Sequence, residues 1–285
     1  MRSSAERARR ALRVLAGALL GIALAHPAFD SGAFADNAPA APVAPVAAEQ
    51  PPLRPLGIAG TDNRVPADST AWPWIAIGRL NRETGGHCTA ALIGARQVLT
   101  AAHCLFSAAN GRWILPGEVH FVAGYHRGVY AAHAIGLRFT VAPGYDPRHP
   151  TAPRNMARDW AILELKTPMP LRPIPVSART LPGILRAAKE GELNVAGYAA
   201  DYGEQLMRHQ GCVLLGEASD VKLLVHRCDV TFGVSGAPLL LLDQGNAEII
   251  GIHNAVAQTR DGTLGTAVPV EAFAAGVAAA LAAAR

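Results

Sequence analysis

From Trp74 onward the apolar residues come in short runs, each closed by Gly, Pro, Asn or Asp. Runs of this length with turn residues between them are the pattern of β-strands rather than of amphipathic helices. They predict strands around 74–80, 89–93, 97–100, 119–124, 129–135, 137–142 and 160–165. After a Pro-rich crossing at Pro168, Pro170, Pro173 and Pro175, further strands are predicted around 193–198, 207–215, 221–226, 238–242, 248–253 and 264–268. Six or so strands on each side of the crossing predict an all-β fold of two six-stranded antiparallel β-barrels. The end, Val270 to Arg285, is Ala-rich with no breaker after Gly276, which predicts a C-terminal helix docked on the second barrel.

The N-terminus has a different texture. Arg2, Arg7, Arg9, Arg10 and Arg13 precede an apolar run from Leu15 to Leu24, and small residues follow at Ala23-Leu24-Ala25 and again at Ala33-Phe34-Ala35. This is the order of a secretory signal peptide over residues 1–25. An uncleaved membrane anchor would need an apolar run of ~20 residues, longer than this one. Arg9-Arg10 fits a twin-arginine signal poorly. Residues 26–57 are rich in Ala and Pro and read as a propeptide or extended linker. The folded part is then 58–285, divided into 58–170 for the first barrel and 171–285 for the second barrel and helix.

Composition agrees with many short strands: half the residues are hydrophobic, aromatics make up only 6%, and there are 28 Gly and 21 Pro. The formal charge of +4 is misleading. Removing the five Arg and one Glu of residues 1–25 from the 26 Lys+Arg and 22 Asp+Glu leaves 21 of each sign. A mature chain near neutrality gives no reason to expect a nucleic-acid partner. The Ala and Leu of 270–285 read as a packing face, so no stable membrane insertion is expected once the signal is removed.

Four cysteines, Cys88, Cys104, Cys212 and Cys228, follow the signal-like segment. An even count in a secreted chain reads as two disulfides, and sequence neighbours suggest Cys88–Cys104 and Cys212–Cys228 among the three possible pairings. A four-thiolate zinc site is the rival, but no C-x-x-C pair exists. His120, His126 and His133 lie in a strand-rich region with no sign of convergence, and His149 lies in a Pro-rich loop. No metal or organic cofactor is expected.

Three runs carry candidate chemistry: Thr100-Ala101-Ala102-His103-Cys104, Asp159-Trp160-Ala161-Ile162-Leu163 and Gly233-Val234-Ser235-Gly236-Ala237-Pro238. His103 follows an apolar strand, and an imidazole there could take a proton from a hydroxyl near neutral pH. Asp159 stands at the mouth of a strand, where a carboxylate could orient His103. Gly233 lets the backbone turn so that its N–H and that of Ser235 converge as an oxyanion hole, worth ~3–4 kcal/mol in a transition state. The order His…Asp…Ser is that of the double-barrel serine peptidases.

The chain resembles the secreted trypsin-like serine peptidases of the chymotrypsin fold, and within them the bacterial glutamyl endopeptidase (V8-like) branch. The resemblance runs over roughly 58–275. It rests on the three runs, on Gly60-Thr61-Asp62-Asn63-Arg64 followed by Trp72-Pro73-Trp74, on His226-Arg227-Cys228-Asp229, and on Gly251-Ile252-His253-Asn254. It implies a secreted or periplasmic endopeptidase, acting as a monomer that hydrolyses protein or peptide substrates, with Ser235 as nucleophile, His103 as base and Asp159 as its orienting partner. A catalytically silent binding module on the same fold, or an esterase using the same three residues, are the alternatives. The resemblance also implies a substrate pocket around Asp229, Val230, His253 and Asn254, with two conflicting signals. Asp229 stands where trypsin has the Asp that selects Arg or Lys, but its loop is arranged differently beside Cys228, so it also reads as a structural loop Asp. His253 stands where glutamyl endopeptidases have the His that helps bind an acidic side chain, although Val230 replaces the small hydroxyl residue expected in that pocket. Primary specificity stays open between Glu and Arg/Lys. Val234 precedes the nucleophile in place of the Asp that pairs with a new amino terminus in animal trypsins, so activation must work otherwise. Asn254 replaces a Ser that contacts the Asp in many relatives, and its amide could still donate.

Overall fold

A computed structural model describes residues 56–58, 60–260 and 262–284. The signal-peptide expectation and nearly all of the propeptide segment lie outside the described residues. Sixteen strands and three α-helices follow in order. The strands are β1 (Arg64–Pro66), β2 (Ile77–Arg82), β3 (His87–Leu92), β4 (Gln97–Thr100), β5 (Phe106–Ser107), β6 (Arg112–Trp113), β7 (Val119–Ala123), β8 (Ala132–Val141), β9 (Ala161–Leu165), β10 (Glu192–Gly197), β11 (Met207–Gln210), β12 (Leu214–Ala218), β13 (Leu223–His226), β14 (Pro238–Asp243), β15 (Asn246–Thr259) and β16 (Gly262–Pro269). The helices are α1 (Pro153–Met156), α2 (Leu181–Glu190) and α3 (Val270–Ala282).

The first half closes as expected into a six-stranded antiparallel barrel in the order β2-β3-β4-β9-β8-β7. Its interior is filled by Leu80, Leu92, Leu99, Phe121, Leu163 and Leu165, all fully buried. Residues predicted as two strands, 129–135 and 137–142, form the single strand β8, whose register shifts between Gly136 and Arg138. Such a bulge bends the strand around the barrel.

The second half differs from a closed six-stranded barrel. It is an eight-stranded sheet in the order β1-β11-β10-β14-β15-β16-β13-β12. One edge is supplied by β1, from the N-terminal end of the described chain, which pairs with β11 through Val65 and Arg208. The predicted strand 207–215 is divided by Gly211, whose φ of +66° breaks the run into β11 and β12. The fold class is nonetheless all-β with a C-terminal helix.

α3 buries Val270, Phe273 and Val277, one stripe at helical spacing. It reaches further than expected, touching β9 of the barrel as well as β15 and β16. Gly276 makes that approach possible, since a Cβ there would lie 2.6 Å from the Trp160 ring. α2 was not predicted. It starts after Thr180 with Pro182 in its first turn, buries Ile184 and packs Leu181, Ala187 and Ala188 partly against the core, one apolar face at helical spacing. No helix among the described residues is long and apolar enough to cross a membrane.

Candidate active site

The barrel register builds the first part of the site. Thr100 of β4 pairs with Ala161 of β9, so the chain leaving β4 and the chain entering β9 emerge side by side. His103 lies in the short 3-10 turn Ala102–Leu105 directly after β4, and Asp159 lies two residues before β9. Asp159 is 2% exposed. One of its oxygens accepts the His103 backbone N–H at 2.9 Å and the other meets His103 Nδ1 at 2.7 Å. Two contacts from one buried carboxylate fix both the position and the ring of His103, and leave its Nε2 facing away from Asp159. Behind them, burial and then the Asp159 charge push the Tyr145 hydroxyl above its ordinary range, so it stays protonated. The Cys88–Cys104 disulfide ties the His103 turn to β3, and Cys212–Cys228 is also formed, both as the sequence suggested.

Ser235 sits in the loop between β13 and β14, and that loop is hung on β3. The Thr89 N–H donates to Ser235 O at 2.9 Å, and the Thr89 hydroxyl donates to Gly233 O at 3.0 Å. The same hydroxyl accepts the Tyr198 N–H at 2.9 Å. Thr89 is fully buried. On the far side, the Gly236 N–H donates to His253 O and the His253 N–H to Ala237 O, each at 2.8 Å. Two glycines are required. Gly233 has φ +91°, and a Cβ there would fall 2.5 Å from Tyr198 O. Gly236 has φ +82°, and a Cβ there would fall 2.2 Å from Thr100 Oγ1. Phe232 O accepts the Ala200 N–H at 2.6 Å. Carbonyl and N–H point oppositely across a trans peptide, so the Gly233 N–H faces away from Ala200.

His103, Asp159 and Ser235 line one cleft of about 590 Å³, with Thr231, Phe232, His253 and Asn254 on its wall. The predicted pocket residues divide. Asp229 and Val230 are buried and do not line the cleft. Asp229 Oδ2 accepts both the backbone N–H and the side-chain amide of Asn63, each at 2.9 Å, and its N–H donates to His209 Nδ1 at 2.7 Å. The Val230 N–H donates to Gly57 O. Both residues therefore face the N-terminal segment, which sequence reasoning could not place beside them.

His253 and Asn254 do line the cleft, in altered roles. Asn254 donates to Met156 O at 3.0 Å and accepts from Thr266 Oγ1 at 2.9 Å. It braces the segment ahead of Asp159 instead of donating to Asp159 itself. His226 Nδ1 accepts the Cys228 N–H, so its Nε2 carries the proton that faces His253 Nδ1 at 3.3 Å. His253 is thereby protonated on Nε2. Burial first, then the nearby His103, lowers the His253 pKa to about 4, and burial also holds His226 well below its ordinary value. Elsewhere, His120 and His133 meet on the barrel surface at 3.0 Å, while His126 bridges to Val129 and Gln205.

Sequence reasoning missed Thr89, His226 and Arg82, which also lines the cleft. His226 stood in a quoted run, but nothing local marked Thr89 or Arg82.

The trypsin family profile matches residues 62–277. A search of curated proteins finds no match. Among solved structures, the fold is similar to that of a Glu endopeptidase, at 24% identity over 79% of this chain and 99% of that one, with a TM-score of 0.61. It is also similar to the VesB protease of Vibrio cholerae, at 20% identity over 75% of this chain and 66% of that one, with a TM-score of 0.57. With the profile spanning most of the sequence and both halves folded around one cleft, the chain belongs to the trypsin family, the trypsin-like serine peptidases of the chymotrypsin fold.

Proposed function

We propose that the chain is a secreted serine endopeptidase acting through an acyl-enzyme on Ser235. The observation that carries this reading is the meeting of His103, Asp159 and Ser235 on one cleft, with His103 held at two points by a buried carboxylate. Ser235 Oγ attacks the substrate carbonyl while His103 Nε2 takes its proton. Asp159 keeps the other ring proton on Nδ1 and stabilises the imidazolium. The N–H groups of Gly233 and Ser235 receive the oxyanion. His103 then protonates the leaving amine, and water repeats the cycle on the acyl-enzyme.

Activation runs through the N-terminal segment. Arg64, buried between Asp62 and Asp201, donates to Thr231 Oγ1 at 3.1 Å, and that hydroxyl donates to Asp201 at 2.8 Å. An internal arginine thus braces the loop leading to Gly233, where Val234 cannot pair with an amino terminus. The primary pocket does not select Arg or Lys, because Asp229 is engaged by Asn63 behind the cleft wall. Of the polar groups on the wall, Thr231 is bonded to Asp201 and Asn254 to Met156 and Thr266, and His253, a neutral donor, fits a side chain with an acceptor oxygen such as Glu. No cofactor is used. Processing of residues 1–25, removal of the segment after them, and action as a monomer complete the reading.

A diverse peptide library, cut by wild type and by Ser235→Ala, tests it. Cleavage by wild type alone, enriched in Glu before the bond, is the expected result. Equal cleavage by both proteins overturns the assignment of Ser235, and enrichment in Arg or Lys overturns the reading of Asp229.

A further inference from the structure

Arg82 and Asp159 are the only Arg, Lys, Asp or Glu side chains that line the cleft among the described residues. Asp159 is bonded to His103. Arg82, at the end of β2, is not neutralised. Arg64, Arg112, Arg138 and Arg179 each pair with a carboxylate, but among the described residues no carboxylate pairs with Arg82. Its Nε is buried and bonds nothing. Its guanidinium lies against Gly86, where a Cβ would come within 2.6 Å of Nη2. Burial pulls the Arg82 pKa down from its ordinary value, with no opposite charge to restore it. A cation that has lost part of its water and gained no partner is costly, and in a cleft such a group is a candidate for meeting a ligand's charge.

Its position says which part of a substrate it would meet. On the reading of His253 given above, the acyl side of the bond lies against the wall from His253 to Val256. Arg82, Thr84 and Gly85 form a separate part of the lining, on the turn between β2 and β3. β3 is the strand that holds Ser235 O, so this turn borders the nucleophile away from the wall of β15.

We propose that Arg82 is a specificity determinant for the leaving-group side of the substrate, pairing with an Asp or Glu side chain just after the bond that is cut. This rests on the peptidase reading above. A charge-assisted pair in a half-buried site corresponds to a preference of about tenfold in kcat/KM over the matching amide.

The test uses C-terminally amidated, internally quenched peptides that differ only in carrying Glu, Gln or Lys at each of the positions following the bond. Rates are normalised to the fraction of Ser235 that a serine-reactive phosphonate labels, so misfolded protein does not count. The expected result is a Glu preference of about tenfold at one position in wild type, reduced to near unity in Arg82→Gln, largely kept in Arg82→Lys and turned toward Lys in Arg82→Glu. Equal rates for Glu and Gln at every position in an active wild type overturn the inference while leaving the peptidase reading intact. A Glu preference that survives Arg82→Gln also overturns it. Neither cleavage nor labelling in folded wild type overturns the peptidase reading itself, and this inference with it.

Discussion

Replacing Thr89 by Val tests how the nucleophile loop is held. The two side chains have nearly the same shape, so the change opens no cavity at this fully buried position. What it removes is one hydroxyl with two partners, the Tyr198 N–H at 2.9 Å and Gly233 O at 3.0 Å. Both are backbone groups in a dry region, and each costs about 1–3 kcal/mol when left unmatched. The variant is therefore expected to lose about 2–6 kcal/mol of stability if the loop stays in place, and less if it moves. Movement has its own signature, because the freed carbonyl belongs to Gly233. Losing one oxyanion donor outright costs about 100- to 1000-fold in kcat. A displaced donor is expected to cost about 10- to 100-fold, with KM little changed. The assays are thermal unfolding and steady-state cleavage of one peptide by wild type, Thr89→Val and Thr89→Ser. Serine keeps the hydroxyl and should keep most of kcat. A folded Thr89→Val with wild-type kcat and stability would refute the reasoning, as would a Ser variant that falls as far as Val.

Other consequences follow from the same geometry. His253, with a pKa of about 4, and His226 are neutral in the folded protein, whereas unfolded histidines take up protons below about 6.5. Stability should be full above that value and fall as pH drops toward 4, with His253 alone accounting for about 3 kcal/mol once the pH is below both values; denaturant unfolding that is flat from pH 7 to 4.5 would contradict this. Gly276→Ala should cost about 1–3 kcal/mol despite the better helix former, because its Cβ meets Trp160 at 2.6 Å. Unfolding curves and Trp fluorescence report it, and a more stable variant would show that the helix docks otherwise. Removing either disulfide, each closing 16 positions of chain, should cost about 3 kcal/mol. Loss of Cys88–Cys104 should also lower kcat in the protein that remains folded, since that bridge anchors the turn of His103, and kinetics on both double-Ser variants separate the two.

Local signals were enough for much of this architecture. The turn-bounded runs located most strands, and the contexts of His103, Asp159 and Ser235 pointed to one cleft. What escaped the sequence depends on distant pairs. Asp229 could be a pocket residue or a loop residue until its partner Asn63, 166 positions away, is known. The membership of β1 in the second sheet is of the same kind, and so is the bond from Thr89 to Gly233, 144 positions apart. A lone Thr in a strand carries no mark of such a contact. α2 was missed for another reason: Leu181, Ile184, Leu185 and Ala188 do fall at helical spacing, but the segment is short and carries Pro182 and Gly183, which read as turn residues.

The central claim is that Ser235 is a nucleophile activated by His103. Its most direct measurement is the rate of labelling by a serine-reactive phosphonate, with the adduct located by peptide mass spectrometry. The account predicts one adduct, on Ser235, formed at least a hundredfold more slowly in His103→Ala, within the range by which removing a positioned base lowers reactivity, about 10²–10⁴. A folded, disulfide-bonded protein that forms no adduct, or one whose labelling rate is unchanged in His103→Ala, would contradict it.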